Sequence, residues 1–210
     1  DATALATAQD RLRERAFLDR HDLPTAPHAE AHSAEDVAQA AETLTTPFVL
    51  KASRFGYDGR GQCLVESPEQ ATQAWDEVGA TAALCEQWVD FQYEISVIVA
   101  RSPRGSVEAF GPIKNDHASH ILDCSTVPAS VPGDVEQRAI EIARQVAEGL
   151  ALEGLICVEM FVDQHDRVLV NELAPRPHNS GHLTIEACVT SQFEQQARAM
   201  CDLPLGSMQL

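Results

Sequence analysis

The chain contains 210 residues, of which 44% are hydrophobic and 22% are charged. This balance is typical of a globular domain with its own core, and it excludes the disordered, collagen-like and coiled-coil classes. The 32 acidic residues outnumber the 15 basic ones and give a formal net charge of -17. Because a field of that sign repels phosphate backbones and anionic lipids, we expect neither a nucleic acid nor a membrane as a partner.

The sequence carries no pattern of export or membrane insertion. Its longest apolar runs, such as residues 95–100, are far shorter than the ~20 residues of a membrane span. The first residues lack the basic and apolar regions of a secretory signal, and the six cysteines form no C-x-x-C pair. We therefore expect reduced thiols and a cytoplasmic location.

The hydrophobic pattern predicts both helices and strands, because apolar residues recur at helical spacing in some segments and at alternate positions in others. The predicted helices cover 9–20, Ser33 to the residue before Pro47, 67–78, 133–150, 184–189 and 192–201. The predicted strands cover 47–52, 63–65, 91–99, 107–110, 155–162 and 168–173, and a further apolar segment covers 82–89. Short antiparallel strand pairs mixed with helices predict an α+β fold.

A glycine-rich loop over 53–62 follows Lys51, one of two lysines in the chain. Glycine-rich turns expose backbone N–H groups to an anion, and an adjacent ammonium group adds charge for phosphates. The loop is not a P-loop, because the lysine precedes the glycines. The pattern indicates either phosphate binding or a long hairpin in which the glycines satisfy turn geometry alone.

Two acidic residues, Glu159 and Glu172, lie in apolar strand segments that a tight turn connects. On adjacent antiparallel strands their carboxylates can converge on one face, where their repulsion is costly unless a divalent cation lies between them. Mg²⁺ prefers carboxylate oxygens and keeps other positions open for phosphate. The alternative is that both acids point to solvent from a half-exposed sheet.

The loop over 174–182 concentrates polar side chains directly after Glu172. Arg176 has the fork geometry that binds a carboxylate or bicarbonate, and His178 and Asn179 can bond the remaining oxygens. Closely spaced histidine pairs offer a metal-binding alternative, although a pair without a third ligand is weak evidence. These pairs are His178 with His182, His28 with His32, and His117 with His120.

Three segments resemble the ATP-grasp domain of the 5-(carboxyamino)imidazole ribonucleotide synthases. They read AQDRL at 8–12, KASRFGYDGRGQ at 51–62 and NELAPRPHNSGH at 171–182. The resemblance implies an ATP-grasp fold, with two α+β subdomains and the nucleotide between them. The lid subdomain, which carries the glycine loop, would cover about 47–88 and the main subdomain 89–210. The family's N-terminal Rossmann-like domain and small C-terminal domain have no counterpart in these 210 residues.

The resemblance implies ATP-dependent carboxylation of 5-aminoimidazole ribonucleotide by bicarbonate in purine biosynthesis, through carboxyphosphate. The cofactors would be ATP and Mg²⁺, the partners would be these small-molecule substrates, and a homodimer remains open. Two other hypotheses are an isolated MgATP-binding module without turnover and a histidine-based zinc hydrolase.

The same resemblance implies a role for each matching residue. Mg²⁺ would be bound by Glu159 and Glu172, and bicarbonate with its phosphorylated form by Arg176, His178 and Asn179. Asp58 would steer or deprotonate the substrate amine. The nucleotide would be contacted by Arg11, Lys51, Gly56, Tyr57, Asp58, Gly59, Arg60, Gly61, Gln62, Glu86, Gln87, Trp88, Val89, Glu94, His117, Asn171 and Glu172. Within that set, Glu86 to Val89 would line adenine and Glu94 would hold ribose.

Overall fold

The computed structural model describes residues 2–56, 61–118 and 121–210. These residues form two antiparallel sheets and seven α-helices. The helices are α1 Ala2–Ala8, α2 Arg11–Arg20, α3 Ala34–Thr43, α4 Ala71–Val78, α5 Gly133–Gly149, α6 Thr184–Ala187 and α7 Gln192–Met200. The strands are β1 His28–Ala31, β2 Phe48–Ala52, β3 Gln62–Val65, β4 Ala83–Gln87, β5 Phe91–Arg101, β6 Val107–Ala118, β7 Ile121–Thr126, β8 Gly154–Asp163 and β9 Val168–Ala174. Pro68–Gln70 and Asn179–Gly181 form short 3₁₀ turns.

The first sheet has the strand order β1-β4-β2-β3 and buries one face against α3 and α4. Strand β2 pairs with β3 from Phe48 opposite Val65 to Lys51 opposite Gln62. The glycine-rich segment therefore connects the two strands of a hairpin. Because side chains alternate along a strand, Phe48 and Leu50 enter the core while Lys51 faces the other side. This sheet includes β1 and therefore begins upstream of residue 47.

The second sheet has the order β7-β6-β5-β8-β9 and is covered on both faces. One face packs on α5, with Ile95 and Val97 of β5 buried in the larger core cluster. The opposite face carries Glu94 and Ser96, and Ser96 is fully buried. Glu94 and Ser96 thus belong to a covered face of the sheet, and that face holds the candidate site.

Helix α2 contacts both sheets and connects them. The Asp10 side chain caps its first turn by accepting the backbone N–H groups of Leu12 and Arg13, as an N-cap aspartate does. Phe17 and Leu18 pack into the core of the second sheet, and the helix also contacts β4 of the first sheet. In the described residues, no helix is both long and apolar enough to cross a membrane.

Candidate active site

Glu159 and Glu172 lie directly opposite each other in the β8–β9 register. Side chains of opposed residues share one face of a sheet, so the two carboxylates converge, as the strand pattern predicted. A break in the register follows immediately, between Glu159 and Met160. The alternation of β8 sends Met160 into the core under α5 and Glu159 to the opposite face.

Each of these acids has a cationic neighbour within the protein. His178 Nε2 lies 2.9 Å from Glu159 Oε1, and Arg11 Nη2 donates to Glu172 Oε2 at 3.2 Å. Burial raises the pKa of Glu159, but the hydrogen bond and charge of His178 outweigh it and hold that pKa below its ordinary value. The Glu159 carboxylate is therefore held in its ionised form, which is the form that binds a hard cation.

His178 itself is strongly perturbed. Burial lowers its pKa, but hydrogen bonds to Cys157 and Glu159 outweigh burial and raise the pKa to about 10. Arg176 is exposed in the same loop, and its charge contributes to the low pKa of Glu159. Asn179 begins the 3₁₀ turn and is exposed. The loop after β9 therefore presents two positive groups and an amide near the acid pair, a combination suited to a small oxyanion.

A third acid, Glu94 on β5, faces the same region. His117 Nδ1 of β6 lies 3.1 Å from Glu94 Oε2. Burial raises the pKa of Glu94, the neighbouring His117 opposes this, and the charge of Glu159 adds to it. The sequence-predicted residues Glu94, His117, Glu159 and His178 thus form one electrostatic group on the covered face of the second sheet.

Lys51, on the face of the first sheet opposite α3 and α4, donates to Glu86 Oε2 at 2.5 Å. Glu86 is buried, and its other oxygen accepts two hydrogen bonds from Arg15, at 2.6 and 3.1 Å. Burial raises the pKa of Glu86, whereas Lys51 and Arg15 lower it, to about 2. Of the next residues, which the resemblance assigns to adenine, Gln87 donates to Thr45 and Trp88 is half exposed.

Two residues of α2 that the sequence analysis did not select, Glu14 and Arg15, complete this network. Arg15 Nη2 also donates to the Asn171 carbonyl oxygen at 2.6 Å, and Glu14 accepts the Leu173 N–H at 2.8 Å. Both residues are 1% exposed. The sequence did contain a signal for this network, because positions 11, 14 and 15 share one face of the helix. A charged helical face is ordinarily exposed to solvent, so the pattern alone did not indicate burial.

A cavity of about 270 Å³ lies between the start of α2, the base of the glycine hairpin and Glu172. Its lining includes Arg11, Ser53, Phe55 and Gly56. Phe55 is 93% exposed and has a φ of 65°, in the left-handed region that is strained for a bulky residue. Gly61, with a φ of 69°, and Gln62 close the other end of the loop. The predicted site residues Tyr57, Asp58, Gly59 and Arg60 lie outside the described residues.

The two histidine pairs that lie wholly within the described residues, His178 with His182 and His28 with His32, form no metal site. His178 bonds Glu159, whereas His182 stacks on Phe193 with ring centroids 5.8 Å apart. His28 contacts Asp19, and His32 approaches Glu30; His120 lies outside the described residues. Within residues 2–56, 61–118 and 121–210, no group of three or more His, Cys, Asp or Glu side chains is arranged to hold a metal ion.

Comparison with known proteins agrees with this architecture. The family model of the ATP-grasp domain matches residues 16–193. The chain belongs to the ATP-grasp family. The predicted ATP-grasp fold, with its mixture of helices and two antiparallel sheets, is confirmed.

Curated relatives include the N5-carboxyaminoimidazole ribonucleotide synthase of Bacillus subtilis, which is 42% identical over 206 residues. That alignment covers 98% of this ATP-grasp chain and 54% of the relative. The bifunctional purine synthesis protein purC/E of Dictyostelium discoideum is 43% identical, with 99% of this chain and 22% of the relative covered. The chain therefore spans about half the length of the Bacillus relative, and less of the bifunctional one.

Solved structures give the same result. An ADP complex of purK, an N5-carboxyaminoimidazole ribonucleotide synthetase, superposes with a TM-score of 0.93 at 41% identity, covering 98% of this chain and 55% of that one. An N5-carboxyaminoimidazole synthase from Aspergillus clavatus, in complex with ADP and 5-aminoimidazole ribonucleotide, superposes with a TM-score of 0.90 at 30% identity. In this second case 99% of this chain and 55% of that one are covered.

Proposed function

We propose that the protein containing this chain carboxylates 5-aminoimidazole ribonucleotide with bicarbonate at the expense of ATP, in purine biosynthesis. The observation that carries the proposal is the opposed pair Glu159 and Glu172, with His178 and Arg11 beside it and the Lys51 hairpin on the adjoining sheet. The similarity of the chain to a synthase that is 42% identical in sequence supports the proposed substrate class.

The nucleotide would lie between the two sheets. In this arrangement Lys51, Arg11 and the glycine-loop N–H groups contact the phosphates, and Glu94 holds the ribose. His117 lies on the phosphate side, and residues 86–89 line adenine. Glu159 and Glu172 would hold Mg²⁺ beside Asn171, since ionised carboxylates are its preferred protein ligands. This ion, when bound, would supply positive charge that offsets the negative charge developing on the phosphate during transfer.

Bicarbonate would bind against Arg176, His178 and Asn179, whose donors match its oxygens. Its oxygen attacks the γ-phosphorus of ATP, ADP leaves, and carboxyphosphate forms. The substrate amine then attacks the carboxyl carbon, phosphate leaves, and Asp58 takes the amine proton. Phosphorylation is needed because hydroxide is a poor leaving group, and water must be excluded from the site because it would hydrolyse the intermediate.

The test uses the full gene product with 5-aminoimidazole ribonucleotide, bicarbonate and MgATP. We expect phosphate release that requires all three, together with formation of the carboxyamino product. MgATP hydrolysis that is independent of 5-aminoimidazole ribonucleotide would contradict the proposal. An isolated nucleotide-binding module would instead raise its melting temperature with MgATP and form no product.

We also propose a cytoplasmic location. All six cysteines are free thiols, and two of them, Cys85 and Cys157, are buried. Free thiols suit a reducing compartment, in which disulfides are rare. We further propose a homodimer, which sedimentation of the full gene product would detect.

A further inference from the structure

A row of buried polar side chains extends from His178 across the covered face of the second sheet. Ser180 Oγ lies 2.9 Å from His178 Nδ1, and Ser96 Oγ lies 2.8 Å from Ser180 Oγ. Asn115 Nδ2 donates to Ser96 Oγ at 3.0 Å, and Ser125 Oγ donates to Asn115 Oδ1 at 3.0 Å. The row therefore connects the loop after β9 with β5, β6 and β7.

The inner members of this row are out of reach of solvent. Ser96 and Ser180 are 0% exposed, and Asn115 is 5% exposed. A buried hydroxyl or amide that loses its partner incurs the full cost of desolvation, so each member holds the next in one orientation. The row thus behaves as one rigid unit behind His178.

The contacts to His178 fix both its ring and its backbone. Ser180 contacts Nδ1 through its Oγ at 2.9 Å and its backbone nitrogen at 3.3 Å, and Glu159 Oε1 lies 2.9 Å from Nε2. Rotation of the ring therefore breaks the contacts on one side or the other. The buried Gln192 accepts the His178 N–H at 2.9 Å and donates to the His178 carbonyl at 2.8 Å. The backbone is therefore held separately, and the task left to Ser180 is to orient the imidazole ring.

We propose that Ser180, held in place by Ser96 and Asn115, is a positioning residue that fixes the His178 ring against Glu159 and the bicarbonate subsite. The kinetic part of this inference rests on the proposed function, in which His178 binds bicarbonate. The structural part, the coupling of Ser180 to His178, does not depend on that function.

The first experiment is a double-mutant cycle on the unfolding of the substrate-free protein, with Ser180→Ala and His178→Asn made singly and together. We expect His178→Asn to shift the urea midpoint less in the Ser180→Ala background than in the wild type, because the shared contact is already lost. Ser102→Ala is the matched control, since Ser102 is 4% exposed and its hydroxyl accepts the Ser106 N–H in a turn. Its shift should add to that of His178→Asn. Additive shifts for Ser180→Ala would overturn the inference.

The second experiment measures steady-state kinetics of the full gene product. Ser180→Ala should raise the KM for bicarbonate about three- to tenfold, the range expected for one lost hydrogen bond. The KM for ATP should stay within about twofold, and Ser102→Ala should change neither. If Ser180→Ala lowers only the amount of folded enzyme and leaves both KM values unchanged, the positioning role is wrong. If Ser180→Ala does not fold, Ser96→Ala provides the same test, because Ser96 is the hydrogen-bond partner of Ser180.

The two failures are distinguishable. A wild-type protein without bicarbonate-dependent turnover would refute the proposed function, and the unfolding cycle alone would then decide whether Ser180 positions His178. A normal wild type combined with additive unfolding shifts would refute the positioning role alone.

Discussion

The guanidinium of Arg15 lies 2.6 Å from Glu86 Oε1, and both side chains are buried. The same Nη2 nitrogen donates to the Asn171 carbonyl oxygen of β9. Glu86 belongs to the first sheet and Asn171 to the second, so a single side chain of α2 bonds both layers. Glu86 also holds Lys51, which extends this connection to the glycine hairpin.

Replacing Arg15 should therefore destabilise the fold. Arg15→Met leaves Glu86 with Lys51 alone and removes a donor from the Asn171 carbonyl, and loss of one partner from a buried charge pair costs about 3–5 kcal/mol. Denaturant unfolding measures the change. Arg13→Met on the same helix is the control, because the Arg13 side chain is exposed and its pairing with Asp10 is a surface one. Equal losses for the two variants would contradict the prediction.

The two lysines allow a matched test of phosphate binding. Lys51→Met should weaken MgATP binding by at least about tenfold, which corresponds to about 1.4 kcal/mol, because it removes the ammonium at the base of the hairpin. Lys114→Met removes the other lysine, whose Nζ lies 3.7 Å from Asp116 Oδ1, and should leave binding unchanged. Isothermal titration with MgATP checks both variants, and similar dissociation constants would argue against a phosphate role for Lys51.

Replacing one member of the acid pair should increase the Mg²⁺ concentration that the protein requires. Glu172→Gln removes a charged ligand, so we expect the Mg²⁺ concentration for half-maximal nucleotide-dependent phosphate release to rise at least about tenfold. Glu141→Gln, on the exposed side of α5, serves as the control. An unchanged Mg²⁺ dependence in Glu172→Gln would remove this residue from the metal site.

Glu14 should make stability depend on pH. Burial raises its pKa from 4.5 to about 7, with Arg15 opposing the shift and Glu172 adding to it. The raised value means that the folded protein disfavours the ionised form. The stability contribution of the protonated carboxyl is therefore complete below about pH 4.5 and is lost as the pH rises through about 7.

Glu14→Gln keeps an acceptor for the Leu173 N–H and removes the titration. Between pH 5 and 8 the wild type should lose on the order of 3 kcal/mol of unfolding free energy relative to Glu14→Gln. Urea unfolding at several pH values measures the difference. Parallel stability curves for the two proteins would show that Glu14 does not titrate in this range.

Local patterns in the sequence predicted the parts of the fold that local physics determines. The β2–β3 hairpin follows from an apolar strand and a glycine loop, and α5 follows from helical spacing. The segments that were missed, α1, β1 and β7, have little apolar periodicity, since β1 reads HAEA and β7 is an edge strand with exposed residues. Strand β6 was predicted over 107–110 but extends to Ala118, because pairing with β5 and β7 continues beyond the Gly111–Pro112 interruption.

The candidate site divides in the same way. The acid pair was predictable because a two-strand hairpin brings Glu159 and Glu172 to one face. The burial of Glu14 and Arg15 was not, because charged residues are ordinarily exposed and only the approach of both sheets to α2 removes them from water. The burial of Ser96 was also not predictable, because it depends on the loop that carries Ser180, which is distant in sequence. The strand pattern alone shows only an ordinary polar position.

The placement of Arg15 on α2 has a practical consequence for dissecting this protein. A fragment that begins after residue 20 would retain every strand of both sheets and most of each hydrophobic core. It would lack the guanidinium that the sheets share, leaving Glu86 and the Asn171 carbonyl to face each other across the gap as two acceptors. In such a fragment, each sheet should still fold with its helices, but the two sheets should no longer be held in a fixed relative position. The proposed nucleotide cleft would then lose its shape although neither sheet unfolds.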